Sequence, residues 1–392
     1  MRLRYRCHGV HCFPSWMAAN VCALCCVFCS FAWRAPLQRT CCVATKKNNH
    51  PNLRTTIRAR AFLRRRLPKM TAYRLRKELN VFVIFGAAGN VGRVSAAALR
   101  RAGREVRAVV RDARQGDVLA KIGCEIAIAD LLDAASVARA IEGASAVQIL
   151  CPVPHADTDP ATTMRRMIDV SADALRANPP QRVLALSDYG AEHASGTGIT
   201  TLFHILETQL APIDSQLTFL RAAEHMHNWA RVLPIALARG VLPSLHHPLS
   251  KLFPTVAAQD VGLLAAELLL DDRPAKVSPR VVSIEGETRV SALDVARTLG
   301  ALAHRQITAY EAPRGEWAAM LHGAGLGENH ARLITDLYDA HNAGRIDVET
   351  EISERRFGAT SLEGVFASIL ARVTETSAET SAAKTSANAN AR

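Results

Sequence analysis

The stretch Gly86-Ala87-Ala88-Gly89-Asn90-Val91-Gly92-Arg93 sets three glycines at a spacing of three. This is a spacing that handles phosphate. Gly86 lets the chain turn tightly, Gly89 lets backbone come close to a pyrophosphate, and Gly92 lets a following helix pack hard against the strand before it. The helix start then aims unpaired N–H groups and a positive dipole end at the anion. Ala88, Asn90, Val91 and Arg93 complete the loop. The apolar run Val81-Phe-Val-Ile-Phe85 precedes it and a helical pattern from Asn90 to Arg101 follows, which is the context a dinucleotide-binding loop requires.

The choice of dinucleotide turns on the end of the second strand, where NAD enzymes carry an acid for the ribose 2′-hydroxyl. Here Val109-Val110 runs into Arg111 and then Asp112, and Arg93 follows the third glycine. Guanidinium groups suit a 2′-phosphate because they can grip it with two parallel hydrogen bonds. NADP(H) is the expected cofactor, and Asp112 leaves NAD(H) open. Asp130-Leu131 closes the third strand, placed either to meet the adenine or to cap the next helix. Pro152, in Cys151-Pro-Val-Pro154, lies where a loop must pass the ribose and pyrophosphate.

Residues for chemistry on a substrate are sparser. Ser187 and Tyr189 follow the fifth strand, at the carboxyl edge where such sheets bind ligands. They are the candidate catalytic hydroxyls. His225 and His227 are candidates to face a substrate, and His204 sits on the helix after the fifth strand. His246-His247 reads as a loop pair. The Tyr-x-x-x-Lys pair that protonates a carbonyl as hydride arrives is absent from the sheet region. Tyr73 and Lys77 have the spacing but precede the first strand, and no tyrosine occurs between 190 and 309. No metal site is expected: eight of ten cysteines lie at or before 42, and only Cys124 and Cys151 lie beyond. Cys22, Cys25, Cys26 and Cys29 form two CxxC matches without further ligands nearby.

The elements that must position these groups alternate. Strands are expected at 81–85, 106–110, 125–129, 146–150, 182–186 and 217–220, with helices at 90–101, 113–122, 134–142, 161–177 and 199–211. That rhythm specifies an α/β fold, a doubly wound parallel sheet of Rossmann type. From Glu224 helices dominate, beginning with 224–238, and only 280–284 and 307–311 read as strands. The expected organisation is a leader over 1–79, a dinucleotide-binding domain over 80–235, a smaller and mostly helical C-terminal substrate domain over 236–373, and a disordered Ser/Thr/Ala/Asn-rich tail over 374–392.

Charge divides along the same line. The chain is +12, but residues 1–69 hold 14 Lys and Arg and no Asp or Glu, so the remainder has 34 basic against 36 acidic residues, a net of −2. A near-neutral body, in a chain with only 5% aromatics, offers nucleic acid neither an electrostatic surface nor a stacking platform. The basic leader with its apolar stretch from Trp16 to Trp33 mixes signal-peptide and transit-peptide features. It is expected to be an extension dispensable for folding, with Met70 as an alternative start.

Several of these segments together resemble the NmrA-like family of atypical short-chain dehydrogenase/reductases. They are Gly86 to Arg93, Arg107-Ala-Val-Val-Arg111-Asp112, Asp130-Leu-Leu-Asp133, Val183 to Ala191, and Arg221-Ala-Ala-Glu224-His-Met-His-Asn228-Trp229. The resemblance spans 81–373. It implies an NADPH-dependent oxidoreductase acting on a small molecule such as a quinone or unsaturated carbonyl. It equally admits a redox sensor that binds NADP(H) without turnover and engages a regulatory protein partner. A cytoplasmic location follows for the body, or an organellar one if the leader targets it. Nothing in the sequence fixes the oligomeric state.

Overall fold

The computed structural model describes residues 80–371, apart from 155–156 and 274–276. The leader with its CxxC pairs and the tail from 374 lie outside the described residues.

Strand β1 (Val81–Phe85) is apolar throughout and buried from Phe82 onward. A strand with no polar face must be covered on both sides, so it takes the centre of a parallel sheet. Seven more strands join it: β2 (Glu105–Val110), β3 (Glu125–Ile128), β4 (Ala144–Ile149), β5 (Arg182–Asp188), β6 (Gln216–Ala222), β10 (Arg280–Gly286) and β12 (Glu354–Gly358). All are parallel, in the order β12-β10-β6-β5-β4-β1-β2-β3. The order reverses between β1 and β4, and the crevice above such a reversal is where open α/β sheets bind ligands. Two small parallel pairs lie outside it: β7 (Glu224–His225) with β9 (Thr255–Val256), and β8 (Val241–Ser244) with β11 (Thr308–Glu311).

Helices cover both faces. One is packed by α1 (Gly92–Arg101), α2 (Asp117–Lys121) and α7 (Ala258–Leu270), the other by α3 (Ala134–Ile141), α4 (Pro160–Ala177) and α5 (Thr200–Leu210). Local signals set their ends. Asp159 accepts from the Thr162 N–H ahead of Pro160, and Asp133 accepts from the Ala135 N–H. A third core joins α6 (Leu233–Arg239) and α8 (Ala292–Leu302) to Trp229 and to α11, the helix over 362–371. The remaining helices are α9 (Trp317–Gly323) and α10 (Glu328–Asn342). Among the described residues no helix is long and apolar enough to cross a membrane.

Three expectations change. The division at 236 does not separate two layers: β10 extends the main sheet beside β6, β12 extends it further, and α7 packs on the same face as α1. The physical reason is burial. Val282 and Ile284 reach the core only as part of that sheet. Strand β12 carries no apolar run, because it is an edge strand whose Glu354 and Arg356 pair with Arg280 and Glu267; charge on an edge discourages pairing with another chain. The helix expected over 224–238 is instead β7, a 3-10 turn (Met226–Arg231) and α6. The helix expected over 113–122 is also broken, because Asp112 caps a 3-10 turn (Ala113–Gly116) before α2 begins.

Candidate functional site

At the carboxyl edge the chain leaves β1 through Gly86, whose φ of +66° is a left-handed conformation that favours glycine. The Gly89 N–H returns to the Gly86 carbonyl at 2.9 Å, which closes the turn. A Cβ at Gly92 would lie 2.8 Å from the Gly86 carbonyl carbon and 2.9 Å from the Ala87 Cα, so only glycine lets α1 start against this turn. Val91 precedes α1 without a side-chain cap, and the first turn of α1 holds no acid. The helix start is therefore left for an outside anion. Gly86, Ala88, Gly89, Asn90 and Arg93 are exposed, while Val91 and Gly92 are buried beneath them. The cradle fits the pyrophosphate of a dinucleotide.

Arg111 follows β2 and is exposed, as is Arg93, whose Nη2 donates to Asn90 Oδ1 at 3.2 Å. Asp112 is occupied: its carboxylate accepts from the Arg114 N–H at 2.9 Å and pairs with the Arg114 guanidinium at 2.7 Å. That side-chain bond holds Asp112 below its usual range. Asp130 is exposed and accepts from the Leu132 N–H at 2.9 Å; the cap of α3 is Asp133, not Asp130. Leu131 is half-buried and Pro152 exposed on the same edge.

Beside this loop lies a cavity of about 430 Å³. Its wall begins at Val91 and Leu150, takes in Leu186, Ser187 and Asp188 from β5, and continues through Ala222 to His225. The far side is helical, with Trp229, Met320, Leu326, Ile334 and Leu337. The lining is mainly apolar with a few polar groups, the usual make-up of a small-molecule site.

Those polar groups are organised around Glu224. It accepts from His246 Nε2 at 2.8 Å, and its other oxygen accepts the Tyr338 hydroxyl at 3.1 Å. Burial pushes Glu224 up, but His246, His341 and Tyr338 outweigh it and leave the carboxyl below its usual range. His246 itself is 1% exposed and stacks on Phe253 at 3.6 Å between ring centres. His225 and His341 both line the cavity, and burial pulls each to a pKa of about 4, so both are neutral at neutral pH. Asp188 goes the other way: burial first, then the charge of Glu224, raises it to about 8.

Residues 86–272 match a family model for NAD(P)H binding. This chain carries an NAD(P)H-binding domain. Solved structures share its fold. Triphenylmethane reductase from Citrobacter sp. aligns at TM-score 0.62 with 18% identity, over 74% of this chain and 99% of that one. The NADPH-dependent quinone oxidoreductase of Escherichia coli, solved with NADPH, gives the same values. Leucoanthocyanidin reductase from Vitis vinifera, also solved with NADPH, aligns at 0.57 with 12% identity over the same shares. A search of curated proteins gave no match. The match and the shared fold agree with the resemblance read from the sequence.

Within the NAD(P)H-binding domain, the hydroxyl candidates are not arranged as expected. Tyr189 is 2% exposed, sits in the core with Leu186 and Ile346, and does not line the cavity. Its hydroxyl has no partner among the described residues, and burial raises it far above its usual range. Leu186, Ser187 and Asp188 all reach the cavity wall, whereas Tyr189, the first residue after β5, packs into the core. Ser187 does reach the wall, but its hydroxyl donates to Glu207 Oε1 at 2.6 Å. Glu207 in turn takes two hydrogen bonds from Arg221, at 2.9 and 2.7 Å, and Arg221 also pairs with Glu192 and Glu349. Burial disfavours the Arg221 charge, but these carboxylates hold it firmly protonated. Ser187 is thus the end of a buried ionic network. His225 lines the cavity; His227 is half-buried and outside its lining. His204 Nδ1 donates to the Ala191 carbonyl at 2.8 Å and is also outside the lining.

Sequence reasoning missed Asp188, Glu224, His246, Tyr338 and His341. Of these, Glu224 was expected to open a helix and His246 to lie in a loop pair. Only an acid at the exit of β5, next to Ser187, offered a signal. It also missed Gly262, where a Cβ would lie 2.6 Å from the Val91 carbonyl oxygen; this glycine lets α7 press on the phosphate loop. Among the described residues no group of His, Cys, Asp and Glu could hold a metal ion. The Cys151 thiol is fully buried and raised to about 12, which leaves it unreactive.

Proposed function

We propose that this protein is an NADPH-dependent reductase of a bulky, mostly apolar acceptor carrying a quinone-like or unsaturated carbonyl group. The observation that carries the reading is the apolar cavity that begins at Val91, in the glycine loop itself, and extends along the ends of β4 to β7. Gly86 to Gly92 would hold the pyrophosphate at the start of α1, and a dinucleotide following the carboxyl edge from there would have its nicotinamide half on the side of that cavity. Bound NADPH supplies hydride; the protein's part is to hold, orient and exclude water. Val91, Leu150 and Leu186 form a dry floor, and Trp229, Met320 and Leu326 close the opposite side. The known quinone and triphenylmethane reductases of the same fold support an aromatic acceptor.

NADPH is favoured over NADH by charge. Arg93 and Arg111 stand exposed near the end of β2, and the neighbouring acid, Asp112, is already neutralised by Arg114. Asp130, Leu131 and Pro152 lie where they can border the adenine and ribose. The test is steady-state oxidation of NADPH, followed by absorbance, with a panel of quinones and enones. Turnover with apolar quinones above the buffer rate is expected. Tight NADPH binding with no turnover across the panel would replace the reductase with a sensor whose occupancy is read by a protein partner.

A further inference from the structure

Two carboxyl groups line the cavity, Asp188 and Glu224. Glu224 is committed, with His246 on one oxygen and Tyr338 on the other. The Asp188 carboxyl takes no hydrogen bond from any other side chain among the described residues; only the Tyr189 backbone N–H supports it. It ends β5, in register with Ala222 of β6, at the edge where an acceptor must lie. The Ser187 hydroxyl is committed as a hydrogen-bond donor to Glu207, and Tyr189 is out of reach in the core.

The groups around Asp188 fix its state. From β7 come Glu224 and His225, and from the 3-10 turn after it Arg231. The segment after β8 adds His246, and α10 adds His330, Tyr338 and His341. Glu192 follows β5 and adds a weaker negative charge. His225 and His341 are neutral, with pKa values of about 4, and Tyr338 keeps its proton. Among charges, the Glu224 carboxylate acts on Asp188 most strongly. Together with burial it keeps Asp188 protonated to a pKa of about 8. A carboxylic acid neutral at neutral pH inside an apolar cavity is a group that can give a proton away.

We propose that Asp188 is the proton donor of this cavity, handing its carboxyl proton to the carbonyl oxygen of a quinone-type acceptor as hydride is delivered from NADPH. The proposal rests on the reductase reading above. Hydride adds at one end of the conjugated acceptor, and the displaced electron pair comes to rest on the carbonyl oxygen at the other end. That oxygen forms an O–H bond with the proton as the Asp188 O–H bond breaks. The acceptor gains H⁻ and H⁺, the dinucleotide leaves oxidised, and water re-protonates the Asp188 carboxylate. This donor takes the place of the missing Tyr-x-x-x-Lys pair.

The experiment compares wild type with Asp188→Asn in two readouts. The first is ¹³C NMR of protein labelled at aspartate carboxyls, without cofactor or acceptor. Wild type should show one carboxyl titrating near pH 8, absent from Asp188→Asn. The second is kcat against pH with a quinone. Wild type should lose rate above about pH 8, and Asp188→Asn should be slower by about 10²-fold and lose that limb, with NADPH affinity within about twofold. The donor role is overturned if no carboxyl resonance titrating above pH 6 disappears in Asp188→Asn, or if the variant keeps the wild-type rate and profile. If wild type binds NADPH but reduces no acceptor, the reductase reading falls, and the donor role with it, whatever the titration shows.

Discussion

The glycine loop and the apolar cavity touch at Val91 but are built on opposite principles. The loop is eight consecutive residues and works through backbone: a left-handed Gly86, an uncapped helix start, and a contact at Gly92 too close for any side chain. The cavity draws its wall from residues as far apart as Val91 and His341 and works through side chains whose ionisation is set by their neighbours. One region is fixed by local geometry and exposed. The other is mostly apolar and depends on the whole fold to set its charges.

The comparison breaks first at Arg221, which lies behind the cavity and supports it. Removing one partner of a buried ion pair leaves the other uncompensated and costs about 3–5 kcal/mol. Arg221→Met, which strands Glu207 beside Ser187, is expected to lower stability by that amount in denaturant unfolding. A loss under about 1 kcal/mol would mean that the network is a bystander.

On the loop side the largest effect is on binding. A Cβ at Gly89 meets only the Gly86 carbonyl oxygen, at 3.2 Å, a close contact that a small shift of the turn can relieve, and a side chain there would obstruct a pyrophosphate bound at the proposed site. Gly89→Val is expected to weaken NADPH binding by at least about 100-fold while unfolding changes little, since only the ligand's route is blocked. Calorimetry with unchanged affinity in a folded variant would remove the loop from the site. Arg111→Ala sharpens the same region. One charge-assisted contact to the 2′-phosphate contributes about 1.5–3 kcal/mol, so NADPH affinity should fall by roughly 10- to 100-fold and NADH affinity hardly at all. Equal losses for both cofactors would place Arg111 elsewhere.

Acid should reach the cavity before the loop. His225 and His341 have folded pKa values of about 4 against 6.5 for a free histidine. The unfolded chain therefore binds more protons than the folded one between those values, and stability falls as pH drops from 6.5 toward 4. Thermal unfolding over that range should show the fall, and His341→Gln should flatten it. A slope unchanged in the variant would assign the acid sensitivity to other groups. The smallest effect is expected at Tyr189, whose buried hydroxyl has no partner. Tyr189→Phe should leave turnover unchanged and alter stability by no more than about 1 kcal/mol, in the stabilising direction. A clear loss of kcat would return Tyr189 to the site.

The sequence by itself determined the parallel strands at the centre of the sheet, the glycine loop with Arg93, Arg111 after β2, and the missing Tyr-x-x-x-Lys pair. Each is written in neighbouring residues: an unbroken apolar run can only be a buried strand, and three glycines between strand and helix can only be a tight, phosphate-sized turn. Tertiary structure alone decided three things. It put β10 and the charged β12 into the main sheet, which no apolar pattern in Glu354–Gly358 announces. It turned Tyr189 into the core and Asp188 toward the cavity at the exit of β5, a choice set by the elements packed around them rather than by residue type. And it gathered Glu224, His246 and Tyr338, more than a hundred residues from end to end, into one hydrogen-bonded group. Whether an acid keeps or loses its proton depends on burial and on the charges within a few ångströms, and neither is a property of the chain until it has folded.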